Sequence, residues 1–171
     1  LFTAVFDRLG EFSVIAEDLG NIDESVKELK KEFNFPGMKV LHFAFYGGTD
    51  HEFLPHNFTG TNCAVYTGTH DNDTTVGWYW SATDDTRRFV NHYLDTDGHE
   101  INWKMIRLAL SSIADKAFFP LQDVLGWGSD CRFNIPGTTG PHNWTWRFRH
   151  GDLAKAHIDR LRGIIVAYNR M

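Results

Sequence analysis

The stretch CAVYTGTHDNDTTVGWYWS, residues 63–81, passes from an apolar run through a dense polar cluster into a helix-like segment. CAVYT (63–67) has the apolar, β-branched character of a short buried strand, and a helix is expected from Thr74 to Ser81. Between them His70, Asp71, Asn72 and Asp73 stand in four consecutive positions. Asn and Asp suit turns because their side chains bond the local backbone. The same groups at the C-terminal end of a strand also suit a site.

The pattern repeats on either side. Ser13 to Ala16 reads as a strand, EDLGNID as a loop, and ESVKELKKEF as a helix with Val26, Leu29 and Phe33 on one face. NFPGM breaks that helix, KVLHFAF (39–45) is a second strand, and YGGTDHEFLPHNFTGTN is a long loop. KAFFP (116–120) is a fourth, shorter strand that leads into LQDVLG. Further helices are expected over Asp84–Tyr93, Ile101–Asp115 and Asp152–Asn169, preceded by one that carries Leu1, Phe2, Val5, Phe6 and Leu9 at helical spacing.

Strands alternating with helices imply a parallel sheet with right-handed crossovers, in a doubly wound fold or a (β/α) barrel. Glu17 with Asp18, His70 to Asn72, and Gln122 with Asp123 all follow strand ends, which is where barrel enzymes assemble their sites. No GxGxxG or Walker-type loop supports a nucleotide fold. The expected class is therefore α/β, as half of a (β/α)8 TIM-type barrel with added helices and loops. Four strand units are half of eight. No linker or internal repeat divides residues 1–171, so a single domain portion is expected.

Composition narrows the function. With 42% apolar and 15% aromatic residues the chain is globular, and its net charge of −5 is spread without basic runs. That argues against nucleic acid and anionic membranes as partners. No apolar stretch approaches the ~20 residues of a membrane span, and no signal-like segment opens the chain. The absence of an initiator Met, with helical spacing from residue 1, leads us to expect the C-terminal part of a longer protein. Cys63 and Cys131 fit unpaired thiols. Nine histidines without HxxxH or HExxH spacing give no metal site, and no cofactor is expected.

Glycosidic-bond chemistry commonly needs two carboxyl groups, ~5 Å apart when the configuration is retained. Glu17 and Asp71 would open onto the same barrel face. Singly, each reads more readily as a helix cap or a solvated turn. Phe45 and Tyr46 end their strand, where an aromatic face suits a sugar; core packing competes for both, more strongly for Phe45. Asn72 divides between sugar contact, support and turn. Trp144 and Trp146 alternate as in a half-buried strand.

In order, VIAEDLG, FPGMKVLHFAF, LPHN, YTGTHDNDTTVGWY, PLQDVLG and RFNIPGT…NWTWRF resemble the C-terminal catalytic part of the amylomaltase family of 4-alpha-glucanotransferases, or disproportionating enzymes. The resemblance covers nearly the whole chain. It implies retaining transfer of alpha-1,4-glucan segments between maltooligosaccharides, with Glu17 as general acid/base and Asp71 as the carboxylate that stabilises the transition state. His70 would hydrogen-bond sugar in the same subsite, and Asn134 would meet a sugar hydroxyl or cap its loop. The family works in bacterial cytoplasm and in plant plastids, so the cytoplasm is expected, or a plastid in a plant. Its nucleophile is an Asp in an R-x-D-H motif, which does not occur in these 171 residues. The resemblance therefore implies a partner, the N-terminal half of the same barrel. The alternatives are an alpha-glucan hydrolase of the same clan, and a non-catalytic glucan-binding or structural fragment.

Overall fold

The computed structural model describes residues 1–10 and 12–170. Three short strands, β1 (Gly37–Val40), β2 (Cys63–Tyr66) and β3 (Lys116–Phe118), form a parallel sheet in the order β1-β2-β3. Gly37 lies beside Cys63, and Ala64 beside Lys116. The α/β class is as expected. The sheet has three strands among the described residues, where the sequence suggested four.

The missing strand is Ser13–Ala16. It has no regular secondary structure, and among the described residues its one backbone bond runs from Ala16 N–H to the Pro36 carbonyl (2.9 Å) just before β1. Pro36 has no N–H to return, and the Met38 N–H goes instead to the Asp18 carboxylate (2.7 Å). A side chain has taken the place of a ladder. The KVLHFAF segment also departs from expectation: β1 ends at Val40, and Leu41–Ala44 forms a single helical turn. Leu41, Ala44 and Phe45 are all buried, which is the i, i+3, i+4 spacing of a helix.

The helices are α1 (Phe2–Leu9), α2 (Glu24–Glu32), α3 (Leu41–Ala44), α4 (Thr75–Ser81), α5 (Asp84–Leu94), α6 (Ile101–Ser111), α7 (Leu121–Leu125) and α8 (Lys155–Ala167). Asp23, Thr74 and Thr83 cap α2, α4 and α5 by accepting the N–H groups of Val26, Gly77 and Thr86. α6 stops four residues short of expectation because Ser112 turns extended. The short α7 was not anticipated. α8 is shorter than 152–169, with a 3₁₀ turn at His150–Asp152 before it. Trp144 and Trp146 lie in irregular structure rather than a strand, and Trp144 adopts a left-handed φ of 63°.

Strand alternation sends Cys63 and Val65 into a core shared with Trp78, Tyr79, Val90, Met105 and Ala109 of α4 to α6. A smaller core joins Trp103, Ile106 and Leu110 of α6 to Val124 and Ile164. The opposite parity, Tyr66 of β2 with Met38 of β1 and Phe118 of β3, faces a large cavity. One face of the sheet is packed and the other lines a site. Among the described residues, no helix is long and apolar enough to cross a membrane. Both cysteines are free thiols.

Candidate active site

The cavity measures about 940 Å³. Its apolar wall includes Ile15, Met38, Phe43, Tyr66 and Phe118, and its polar groups include Glu17, His70, Asp71 and Asn72. Four of the six sequence-predicted residues thus share one concavity, although Glu17 and Asp71 stand on segments far apart in the chain.

Glu17 owes its place to its neighbour. The Asp18 carboxylate accepts the Met38 N–H and pairs with Lys30, fixing the 16–18 segment beside the start of β1. Glu17 makes no such bond, is exposed, and lines the cavity. The Tyr66 phenol, raised above its ordinary value by burial and secondarily by the Glu17 charge, lines the same cavity. Gly37 makes the Asp18 bond possible. A Cβ there would lie 2.9 Å from the Asp18 carboxyl carbon and 2.8 Å from Lys30 Nζ. Gly37→Ala should therefore expel the Asp18 carboxylate and cost about 1–3 kcal/mol, the penalty for leaving the Met38 N–H unpaired. A melting midpoint equal to that of the parent would show that the segment is held some other way.

Asp71 is fixed from the opposite side. Its carboxylate accepts the Asn134 amide (2.6 Å), and its backbone carbonyl accepts Arg132 Nη2 (2.7 Å). Arg132 Nε also donates to the Asn134 carbonyl (2.8 Å), so one guanidinium joins two loops. Asn134 thus orients a carboxylate rather than merely capping its own loop. His70 Nε2 lies 3.3 Å from Asp71 Oδ1, and its ring packs against Trp144 at 5.2 Å between centroids. Asn72 Oδ1 accepts from the Thr69 N–H (2.8 Å) and hydroxyl (2.9 Å), closing the turn that presents His70 and Asp71.

Tyr46 stands apart. It is 62% exposed, accepts a hydrogen bond from Trp78 Nε1 (2.8 Å), and borders a separate shallow concavity of about 340 Å³ with Phe89. Phe45 is buried in the core. Sequence reasoning missed Trp144, Arg132 and the aromatic wall of Tyr66 and Phe118, stacked at 4.9 Å. Only the alternation of the strands pointed to the wall. Among the described residues, no group of three His, Cys, Asp or Glu side chains is placed to hold a metal ion.

An exposed carboxylate, a second carboxylate fixed by hydrogen bonds, an imidazole and an aromatic wall suit a sugar ring. The model of glycoside hydrolase family 77, described as 4-alpha-glucanotransferase, matches residues 1–153. The chain belongs to glycoside hydrolase family 77.

Curated members of family 77 resemble it over essentially its full length. The 4-alpha-glucanotransferase of Synechocystis is 53% identical over 99% of this chain, and that of Thermus thermophilus 44% identical over 100%. The Arabidopsis thaliana relative, named as chloroplastic/amyloplastic, is 43% identical over 100%. Aligned residues make up 34%, 35% and 30% of those proteins, so this family 77 chain spans about a third of the relatives it matches. The amylomaltase from Streptococcus agalactiae, solved in complex with acarbose, superposes with a TM-score of 0.91 at 35% identity, over 98% of this chain and 34% of that one.

Proposed function

We propose that residues 1–171 act as the C-terminal portion of a single catalytic barrel domain in a retaining 4-alpha-glucanotransferase, which moves alpha-1,4-glucan segments between maltooligosaccharides. The observation that carries this reading is the shared cavity of Glu17 and Asp71, two carboxylates from distant segments across an aromatic wall. Glu17 acts as the general acid that protonates the leaving oxygen and then as the base that deprotonates the acceptor sugar. Asp71 stabilises the oxocarbenium-like transition state, while His70 and Asn134 meet sugar hydroxyls around it. Asn72 completes that subsite through its turn, and Tyr46 offers an exposed ring to a sugar farther along the glucan.

The nucleophile and the remaining barrel strands come from the N-terminal half of the same barrel. The open edges of β1 and β3 are consistent with further strands. The proposed compartment is the cytoplasm, or the plastid in a plant.

The test is glucose release from maltotriose by residues 1–171 alone, and again with the N-terminal half supplied. Activity is expected only in the second case. Within the active assembly, Asp71→Asn should lower kcat by about 10²-fold or more while changing maltotriose affinity by less than about threefold, since contacts that strengthen in the transition state are lost. An unchanged kcat removes Asp71 from the site. An assembly that binds glucan and never transfers it favours the non-catalytic alternative.

A further inference from the structure

Beneath the polar loop lies a charged group with no part in the chemistry above. Asp123 is completely buried, as are Thr67 and Thr75. Its Oδ2 accepts the hydroxyls of Thr67 (2.6 Å) and Thr75 (2.8 Å), and its Oδ1 accepts the Thr75 backbone N–H (2.8 Å). Thr67 is the residue that follows β2, and Thr75 is the first of α4. Everything between them is the 68–74 loop, with His70 and Asp71 at its middle. The backbone carbonyl of Asp123 is held in turn by the Asn102 amide of α6 (2.7 Å).

We propose that Asp123 is a positioning residue for the sugar-binding loop, its buried carboxylate fixing both ends of the segment that presents His70 and Asp71. The inference rests on the function proposed above. A buried carboxylate is expensive to desolvate, and well-packed apolar residues of similar volume are often as stable. Its particular contribution is directional. Three acceptor bonds with defined angles hold two strand-helix junctions at once, which an apolar side chain does not do.

The network also has a fixed proton order. The Thr75 hydroxyl gives its single proton to Asp123, so it accepts from His42 Nε2 at 3.0 Å. Among the described residues, His42 Nδ1 is buried with no partner. An Asn at 123 either sets its NH2 at the Oδ1 position, donor against the Thr75 N–H, or sets it at the Oδ2 position, forcing both threonine hydroxyls to accept rather than donate. Thr75 would then turn its proton toward His42 Nε2, and His42 would carry its own on the unpartnered Nδ1. No arrangement satisfies all members, so the loop ends must shift.

The experiment uses the longer active protein with Asp123→Asn, Thr75→Ser and Thr75→Val, read by maltotriose kinetics and by crystal structures. Asp123→Asn is expected to displace His70 and Asp71 by about 1 Å and to lower kcat by ~10²-fold, with KM within about threefold. Thr75→Ser keeps the hydroxyl and should keep kcat within about twofold; Thr75→Val should lose about tenfold. A folded Asp123→Asn protein with an unmoved loop or a kcat within threefold overturns the proposal, as does equal impairment of the serine and valine variants. If Asp123→Asn does not fold, the serine and valine pair decides. A wild type that transfers no glucan refutes the proposed function, and the loop coordinates still decide the role of Asp123.

Discussion

Replacing Glu17 by Gln in the longer protein is expected to lower kcat for maltotriose disproportionation by ~10²–10⁴-fold, the usual contribution of a positioned proton donor and acceptor. The amide keeps the shape and much of the hydrogen bonding of the carboxyl group, so oligosaccharide affinity should change little. The structure adds a reason to expect a clean result. Among the described residues Glu17 has no hydrogen-bond partner, whereas its neighbour Asp18 carries the anchoring bonds to Met38 and Lys30. The substitution thus removes a titrating proton without releasing the segment, and the melting midpoint should stay near that of the wild type. Steady-state kinetics with calorimetric titration of maltotriose separate the two quantities. Activity within tenfold of wild type would end the assignment.

The contrast between Glu17 and Asp18 shows where sequence reasoning worked and where it stopped. An apolar run followed by a polar cluster was enough to place His70, Asp71 and Asn72 beyond the C-terminal end of β2, because strand direction decides which way the following loop lies, whereas Glu17 joins the same cavity from a segment that is not a strand. The division of labour within each cluster was not legible. Asp18 anchors and Glu17 is free because Gly37 leaves room for one carboxylate against β1, a contact between residues 19 positions apart. Ser13–Ala16 has strand composition, yet Pro36 and Asp18 together remove the ladder bonds that would have made it a strand. Asp123 followed a strand as expected and then turned inward, since Thr67 and Thr75 supply donors that only the fold brings together. Asn134 reached the site through Arg132, whose two backbone partners, Asp71 and Asn134, belong to loops separated by more than sixty residues of chain.

Acid should unfold this region through His42, and His42→Phe should blunt the effect. Burial lowers the His42 imidazole from 6.5 to about 3. Between those values the unfolded chain binds a proton that the folded chain refuses, so falling pH favours unfolding. The stability is fully present above pH 6.5 and is lost as the pH falls toward 3, by about 5 kcal/mol over the whole window. Asp123 works in the opposite sense. Burial raises its carboxyl despite the opposing hydrogen bonds from Thr67 and Thr75, so the folded state takes up that proton first and gains from acid. Because both forms of the protein keep Asp123, the difference between them isolates the histidine. Phe at position 42 retains a ring to stack on Trp78, where the His42 ring lies 4.6 Å away and nearly parallel, and loses the bond to Thr75. Gly68 lies against this ring and leaves room for its edge. At pH 8 the variant should be less stable by about 1 kcal/mol, the net value of one hydrogen bond. By pH 4.5 the order should reverse, because the wild type has by then lost about 2.7 kcal/mol that the variant keeps. Thermal midpoints measured for both between pH 8 and pH 4.5 should cross; parallel curves would show that His42 is protonated in the folded protein as readily as in the unfolded chain.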